Sequence, residues 1–547
     1  MSNIAEALAR QATQQGDAVA LVIPKKPTAT GWVDERLTYR ELNDQVEALA
    51  RGLVVKGLAK GTRVALMVPP SPMFFVSFFA LMRAGCVPIL VDPGIGLKPL
   101  KQCLAEAEPQ VFMGINKAQW ARRVFGWGKA SIEHTITVGS RWASVSDAAL
   151  IKLGLVHREA TKLPKVAPDD PAAMLFTSGS TGIPKGVVYR HRHFEAQVGL
   201  VRETYGIQAG EIDCPTFPPF ALFDPALGMT TVIPKMDFTK PASVDPKMLV
   251  SLIEHYQVTN LFGSPALMNT LTTYTQQHKI KLPTLKRVLS AGAPVSPKVV
   301  ERMHRALNQD ADIHTPYGAT EVLPVATVSG RQIVNGLAAR HRNGQGICVG
   351  KALSANQVKI IAIDDGAIER LDQAKILGVE SVGEICVAGP SVTDQYWARP
   401  EQTAEAKMVG EDGEVWHRMG DLGWLDDEGR VWFCGRKSER VVTEDGVLFT
   451  ECVEGIVNAV SGVYRSALVG VDPSGQSGGG VKTPVVVVEL ESGQQTQPVI
   501  DAVKAELQVR PLTQSIERVE PHPGLPVDIR HNAKIKRGAL AEAFAKC

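Results

Sequence analysis

Residues 64–91 read VALMVPPSPMFFVSFFALMRAGCVPILV. The apolar run 64–68 has the length of a buried strand and is stopped by Pro69 and Pro70. Residues 73–84 follow as a helix and the apolar run 87–91 as a second strand. That is a βαβ unit, which implies a parallel sheet. Upstream, Thr38-Tyr39-Arg40-Glu41 forms a capping box. The helix it opens places Leu42, Val46, Leu49 and Leu53 on one face, and Gly57 suits its end. Downstream the pattern recurs. Residues 260–262 read as a strand before the turn Gly263-Ser264-Pro265, and residues 287–289 as a strand before Gly292. Ser296 and Pro297 then suit the N-cap and first turn of a helix. Ligands in such sheets bind beyond the carboxyl ends of the strands. The expected fold is therefore α/β, a large domain of layered, largely parallel sheets with helices.

Towards the end of the chain the style changes. After the glycine-rich residues 475–480, residues 485–488 form a β-branched run. A boundary near Arg436 divides the chain into 1–435 and a small, mobile α+β domain, 436–547. A length of 547 residues makes a single compact unit unexpected, and 44% apolar residues suffice for large cores. The net charge of +2, with both signs interspersed, gives no basic stripe for nucleic acid. The eight cysteines include no CxxC pair, so neither a zinc site nor a disulfide framework is indicated; Cys348 and Cys386 read as core. The N-terminus lacks the apolar centre of a signal peptide, and Arg83 and Gly85 interrupt the most apolar stretch, 74–91. A cytoplasmic protein is expected, one that an apolar substrate can bring near a membrane.

The chemistry concentrates in residues 174–188, MLFTSGSTGIPKGVV. An apolar strand runs into a hydroxyl- and glycine-rich loop that ends in Lys185 and a second strand. Gly179 and Gly182 let the backbone N–H groups turn inward on an anion. The hydroxyls of Thr177, Ser178, Ser180 and Thr181 add neutral donors, and Lys185 adds charge. The Walker pattern GxxxxGK[ST] does not fit. The bland alternative is a solvated hairpin, against which so many phosphate donors in one turn argue.

This loop resembles the signature of the adenylate-forming superfamily of acyl-CoA synthetases, luciferases and peptide-synthetase adenylation domains. RLTYRELN (36–43), AGCVPILVDP (84–93), SAGAPVSP (290–297), HTPYGATE (314–321), GEICVAGP (383–390), MGDLGWLDDEGRVWFCGR (419–436) and NAKIKR (532–537) extend the resemblance over nearly the whole chain. The resemblance implies ATP and Mg²⁺ as cofactors. It makes Gly292, Ala293 and Pro294 the adenine-pocket segment, with Tyr317 stacking on the base beside Gly318. Thr320 and Glu321 become oxygen ligands of the metal. Asp421 and Arg436 contact the ribose, and Lys534 from the small domain stabilises the reacting carboxylate and α-phosphate. Phe220, Phe223, Gly263 and Leu323 fall in the acyl pocket.

Two segments depart from the common pattern. In 217–225, FPPFALFDP, Ala221 falls near a position that is often histidine, so the wall there is apolar. At the domain junction Ser438 occupies the hinge position, Val442 replaces a lysine and Asp445 stands where thiol-ligating relatives have glycine. RKSERVVTEDGVLFTECVE (436–454) and PVDIRHNAKIKR (526–537) resemble one branch, the β-lactone synthetases of bacterial long-chain olefin biosynthesis. That resemblance implies adenylation of a 2-alkyl-3-hydroxy fatty acid, displacement of AMP by its own hydroxyl, and company with other enzymes of a hydrocarbon pathway. A long-chain fatty acyl-CoA ligase and a non-catalytic acyl-binding scaffold remain as alternatives. Against the scaffold stand Lys185, Glu321, Asp421 and Lys534.

Overall fold

A computed structural model describes residues 3–28, 31–140, 143, 145–177, 184–472, 480–527 and 535–545. The βαβ unit forms as strand Arg63–Met67, helix Pro72–Arg83 and strand Val87–Leu90, and the two strands pair in parallel. The Ser71 hydroxyl caps the helix by accepting from the Phe74 N–H. The capping box is present at helix Tyr39–Val55: the Thr38 hydroxyl accepts from the Glu41 N–H, and the Glu41 carboxylate accepts from the Thr38 N–H. Leu42, Val46, Leu49 and Leu53 are buried along its inner face.

Among the described residues the strands form two main sheets. A six-stranded sheet runs His134–Val138, Val111–Ile115, Arg63–Met67, Val87–Leu90, Pro171–Phe176, Gly186–Arg190, parallel except for the last pair. A fourteen-stranded sheet has a parallel part, in which Ile212–Pro215, Asn260–Gly263, Arg287–Ser290 and Asp312–Ala319 lie side by side. Beyond Asp312–Ala319 it continues antiparallel through strands lying between residues 322 and 436. One core joins the sheets: Leu21 of the large sheet and Val64, Val111 and Val187 of the smaller pack with helices Ile4–Gln14, Tyr39–Val55 and Pro72–Arg83. A second core lies under helices Pro246–Tyr256, Pro265–His278 and Pro297–Ala306.

After Arg436 the chain forms a separate three-stranded sheet, Val463–Val471, Thr483–Leu490 and Arg518–Pro521, with its own core against helices Thr450–Val457 and Thr496–Gln508. Cys348 and Cys386 are buried core residues. No helix among the described residues is long and apolar enough to cross a membrane.

The strand ends position the site. The residues just past the parallel strands of the large sheet, Thr216, Ser264, Gly292 and Thr320, line one cavity of about 1370 Å³. Val68, Val91, Lys117 and Thr177, just past strand ends of the smaller sheet, line the same cavity. Both sheets therefore open their carboxyl ends on a common space.

Close helix contact holds this arrangement. Helix Asp147–Val156 crosses Tyr39–Val55 so tightly that a Cβ on Gly154 would stand 1.8 Å from the Ala48 carbonyl oxygen. In helix His191–Tyr205 a Cβ on Gly199 meets nothing within 4 Å. Alanine gains roughly 1 kcal/mol of helix propensity over glycine, whereas overpacking costs roughly 1–3 kcal/mol or more. Gly154→Ala is expected to lower stability in urea unfolding, and Gly199→Ala to raise it by roughly 0.5–1 kcal/mol. Equal shifts of the same sign would refute the packing argument.

Candidate active site

The hairpin that carries the candidate phosphate loop is built by strands Pro171–Phe176 and Gly186–Arg190, with Phe176 opposite Gly186. Its neck is closed twice. The Thr177 N–H donates to the Lys185 carbonyl at 3.0 Å, and the Lys185 N–H donates to the Thr177 hydroxyl at 3.1 Å. Ser178, Gly179, Ser180, Thr181 and Gly182 lie outside the described residues, as does Lys534.

Facing the hairpin is Glu321. The Tyr396 hydroxyl donates to its Oε1 at 2.5 Å, and Oε2 meets no partner among the described residues. The Thr393 N–H and hydroxyl both donate to the Glu321 carbonyl at 2.9 Å. Behind Thr393 the buried Lys407 ammonium donates to its hydroxyl at 3.4 Å. Burial brings the Lys407 pKa down to about 8, against the pull of Glu321 and Asp394. The Lys185 ammonium sits 4.9 Å over the Tyr396 ring, and the Tyr189 hydroxyl donates to the Thr320 carbonyl at 2.5 Å. Thr320 and Glu321 thus present hard oxygen donors beside the phosphate hairpin. A single protein carboxylate together with phosphate oxygens is the usual holder of Mg²⁺, so this donor set fits that ion. No group of three or more His, Cys, Asp or Glu side chains that would cage a metal exists among the described residues.

Tyr317 and Gly318 lie within strand Asp312–Ala319, at its end. Asp421 lies in strand Val415–Leu425, directly across from Arg436, the last residue of Arg430–Arg436. The Asp421 carboxylate receives the Tyr317 hydroxyl at 2.6 Å and faces the Arg436 guanidinium at 2.7 Å. Burial, with Asp421 beside it, pushes the Tyr317 phenol well above its usual value, so it stays a donor. Asp421 also holds the Arg436 guanidinium charged. A Cβ on Gly318 would fall 2.8 Å from the Val322 carbonyl oxygen, so only glycine fits there.

The structure brings Thr177, Lys185, Gly292, Gly318, Thr320, Glu321 and Arg436 onto one cavity wall, with Phe220, Phe223 and Leu323 on an apolar wall of the same space. Tyr317 and Asp421 support that wall through their contacts with Arg436 and each other. Three expectations shift. Gly263 points away, towards Leu267, Met268 and Thr216, because side chains alternate along a strand; Phe262 and Ser264 face the cavity in its place. Ala293 and Pro294 are off the wall, which Ala291 and Gly292 form. Ala221 is fully buried, and the stacked rings of Phe220 and Phe262, 4.2 Å apart, make the apolar surface. At the junction Ser438 lines the cavity, whereas Asp445 is exposed in the turn between Val441–Thr443 and Gly446–Leu448.

Thr393, Tyr396 and Lys407 were missed in the sequence. The signal available was position: Tyr396 and Trp397 follow GEICVAGP, and Trp397 donates its N–H to the Gly186 carbonyl at 2.7 Å, laying this segment along the phosphate hairpin. A hydrogen bond to a charged group contributes about 1.5–3 kcal/mol, or roughly 10- to 100-fold in rate when it is needed in the transition state. Tyr396→Phe should therefore slow ATP–pyrophosphate exchange by that factor at limiting Mg²⁺, and Glu321→Ala should slow it further. An unchanged exchange rate in Tyr396→Phe would remove Tyr396 from the site.

The AMP-binding enzyme family profile matches residues 8–397. An olefin beta-lactone synthetase of Stenotrophomonas maltophilia (strain K279a) is 48% identical, covering 98% of this chain and 97% of that protein. Its counterpart in Xanthomonas campestris pv. campestris is also 48% identical, covering 99% and 97%. Among solved structures, ATP-bound MatB from Rhodopseudomonas palustris shares the fold at a TM-score of 0.76, with 20% identity and 99% of each chain covered. The chain belongs to the AMP-binding enzyme family and is an AMP-forming ligase or synthetase.

Proposed function

We propose that this enzyme activates a long-chain 2-alkyl-3-hydroxy fatty acid with ATP and closes the acyl adenylate to a β-lactone in olefin biosynthesis. The observation that carries the reading is one cavity lined both by charged groups, the cationic Lys185 and Arg436 and the carboxylate Glu321, and by the apolar side chains of Phe220, Phe223 and Leu323. The two beta-lactone synthetases, 48% identical over nearly their full lengths, support the lactone over other acyl products.

In the first step a carboxylate oxygen attacks the α-phosphorus and the bond to pyrophosphate breaks. Residues 177–182 and Lys185 hold the β- and γ-phosphates. Glu321 and Thr320 would hold Mg²⁺, which would supply charge neutralisation on the phosphates. Tyr317 stacks on adenine, and Asp421 and Arg436 hold the ribose. We assign 1–435 to substrate binding and 436–547 to a mobile domain that brings Lys534 to the two anionic reactants. In the second step the 3-hydroxyl oxygen attacks the acyl carbon, the acyl–oxygen bond to AMP breaks, and the hydroxyl proton leaves to solvent. Attack from the same molecule gains roughly 7–11 kcal/mol over a bimolecular step when held in geometry. An apolar, water-poor pocket keeps hydrolysis from competing. The reading places the enzyme in the cytoplasm, beside other enzymes of a hydrocarbon pathway.

One observation favours a second reading. Asp445 stands in an exposed turn off the cavity wall, so in this arrangement it does not obstruct a thiol, and a long-chain acyl-CoA ligase remains the alternative. Product analysis decides. A synthetic 2-alkyl-3-hydroxy acid with ATP and Mg²⁺ should give β-lactone, AMP and pyrophosphate without CoA, read by mass spectrometry after cold work-up. The matching acid without the hydroxyl should stall as adenylate. A strict CoA requirement with accumulation of acyl-CoA would overturn the lactone reading. Lys534→Ala should slow adenylation by roughly 10²-fold, the scale of one preorganised electrostatic stabiliser, with substrate binding little changed. The same loss from Lys536→Ala, and none from Lys534→Ala, would reverse that assignment.

A further inference from the structure

Helix Asn116–Phe125 is built the wrong way round for a helix that only packs on a core. Its inward positions are small or polar: Ala118 and Ala121 line the cavity, and the buried Gln119 amide donates to the Ile136 carbonyl at 2.9 Å. Its large apolar residues face out. Trp120 is 67% exposed, Val124 55% and Phe125 38%. Trp120, Arg123 and Val124 stand three and four residues apart and so share one stripe. Leu97, at the start of helix Leu97–Ala107, is 54% exposed. The two helices meet: the Lys101 ammonium lies 3.9 Å from where a Cβ on Gly126 would stand.

Around this apolar stripe basic side chains outnumber acidic ones. Residues 97–129 contain six basic side chains and two acidic ones, Glu106 and Glu108. Glu106 is held by Arg399 at 2.6 Å. Lys98, Lys101, Lys117, Arg123 and Lys129 are exposed, and none forms an ion pair among the described residues. Exposed Trp and aliphatic groups ringed by unpaired cations match the requirements of a helix lying in the headgroup layer of an anionic bilayer. A second copy of the chain is the poorer occupant, because a two-fold contact would set this cationic surface against itself. The same helix forms cavity wall on one side and exposed stripe on the other.

We propose that Trp120, Val124, Phe125 and Leu97, with the surrounding lysines and Arg123, dock this enzyme on anionic lipid membranes beside its substrate cavity. The proposal stands apart from the lactone reading, since it concerns where the enzyme works and not what it makes.

The test is co-sedimentation with vesicles of phosphatidylglycerol and phosphatidylcholine in equal parts, and with pure phosphatidylcholine, at about 0.1 M salt. The protein should bind the anionic vesicles and not the neutral ones. Each basic residue at such a surface changes affinity by about fivefold, so Arg123→Glu, a change of two charges, should weaken binding by roughly 30-fold. Trp120→Ser should weaken it by roughly 10-fold or more. Both variants should keep the melting temperature of the parent, showing that the fold is intact. The proposal is overturned if the parent does not bind anionic vesicles, or binds neutral ones equally. It is overturned too if neither variant weakens binding, or if Trp120→Ser abolishes a concentration-dependent dimer that vesicles do not compete for.

Discussion

The Asp421 carboxylate is the point on which the two halves of the large sheet and the exit to the last segment converge. Tyr317, from the end of the parallel part, donates to one of its oxygens; Arg436, the last residue of the antiparallel part, faces the other. Asp421 is 4% exposed, so its charge depends on these partners. Removing one partner of a buried ion pair costs about 3–5 kcal/mol, and somewhat less here because the Arg436 side chain is 34% open to solvent. The neighbouring Lys437 is anchored as well, its ammonium 3.1 Å from the buried Glu384, which also pairs with Arg418 at 2.6 Å. The chain therefore leaves the large sheet from a fixed position.

Around that point the site is assembled from loops that follow strands. Each contributes little: a threonine here, a glycine with no room for a side chain there. The strands bring these contributions together because both sheets end on one cavity. Glu321 illustrates the support such a residue needs. Its carbonyl is held by Thr393, its carboxylate by Tyr396, and a buried ammonium at Lys407 lies behind them. Glu321 lines the same cavity as Lys185. Preorganisation of this kind lets a charged group act without first reorganising its surroundings.

The parts of this arrangement that were legible in the sequence are those set by near neighbours along the chain. The capping box at Thr38 and Glu41, the strand–helix–strand at 64–91 and the turn after Gly263 each need only a few adjacent residues. The neck of the hairpin between 176 and 186 is legible for the same reason, since Thr177 and Lys185 close it locally. The contacts on Glu321 were not legible, because Thr393 and Tyr396 come from more than 70 residues away and carry no distinguishing pattern of their own. The antiparallel half of the large sheet was hidden for a similar cause: its strands pair out of chain order, with residues 347–352 beside 430–436. The direction of Gly263 turned on strand register, which a single-residue shift reverses.

The chemistry proposed for this site is activation of the carboxyl group followed by attack from the hydroxyl of the same molecule. The most direct measurement follows a heavy-oxygen label. When both carboxylate oxygens of the 3-hydroxy acid are labelled, one should appear in AMP, since the bridging oxygen leaves with the phosphate. When the 3-hydroxyl is labelled, all of its label should remain in the lactone ring. Label from the hydroxyl in AMP, or no transfer of carboxylate label to AMP, would contradict this account.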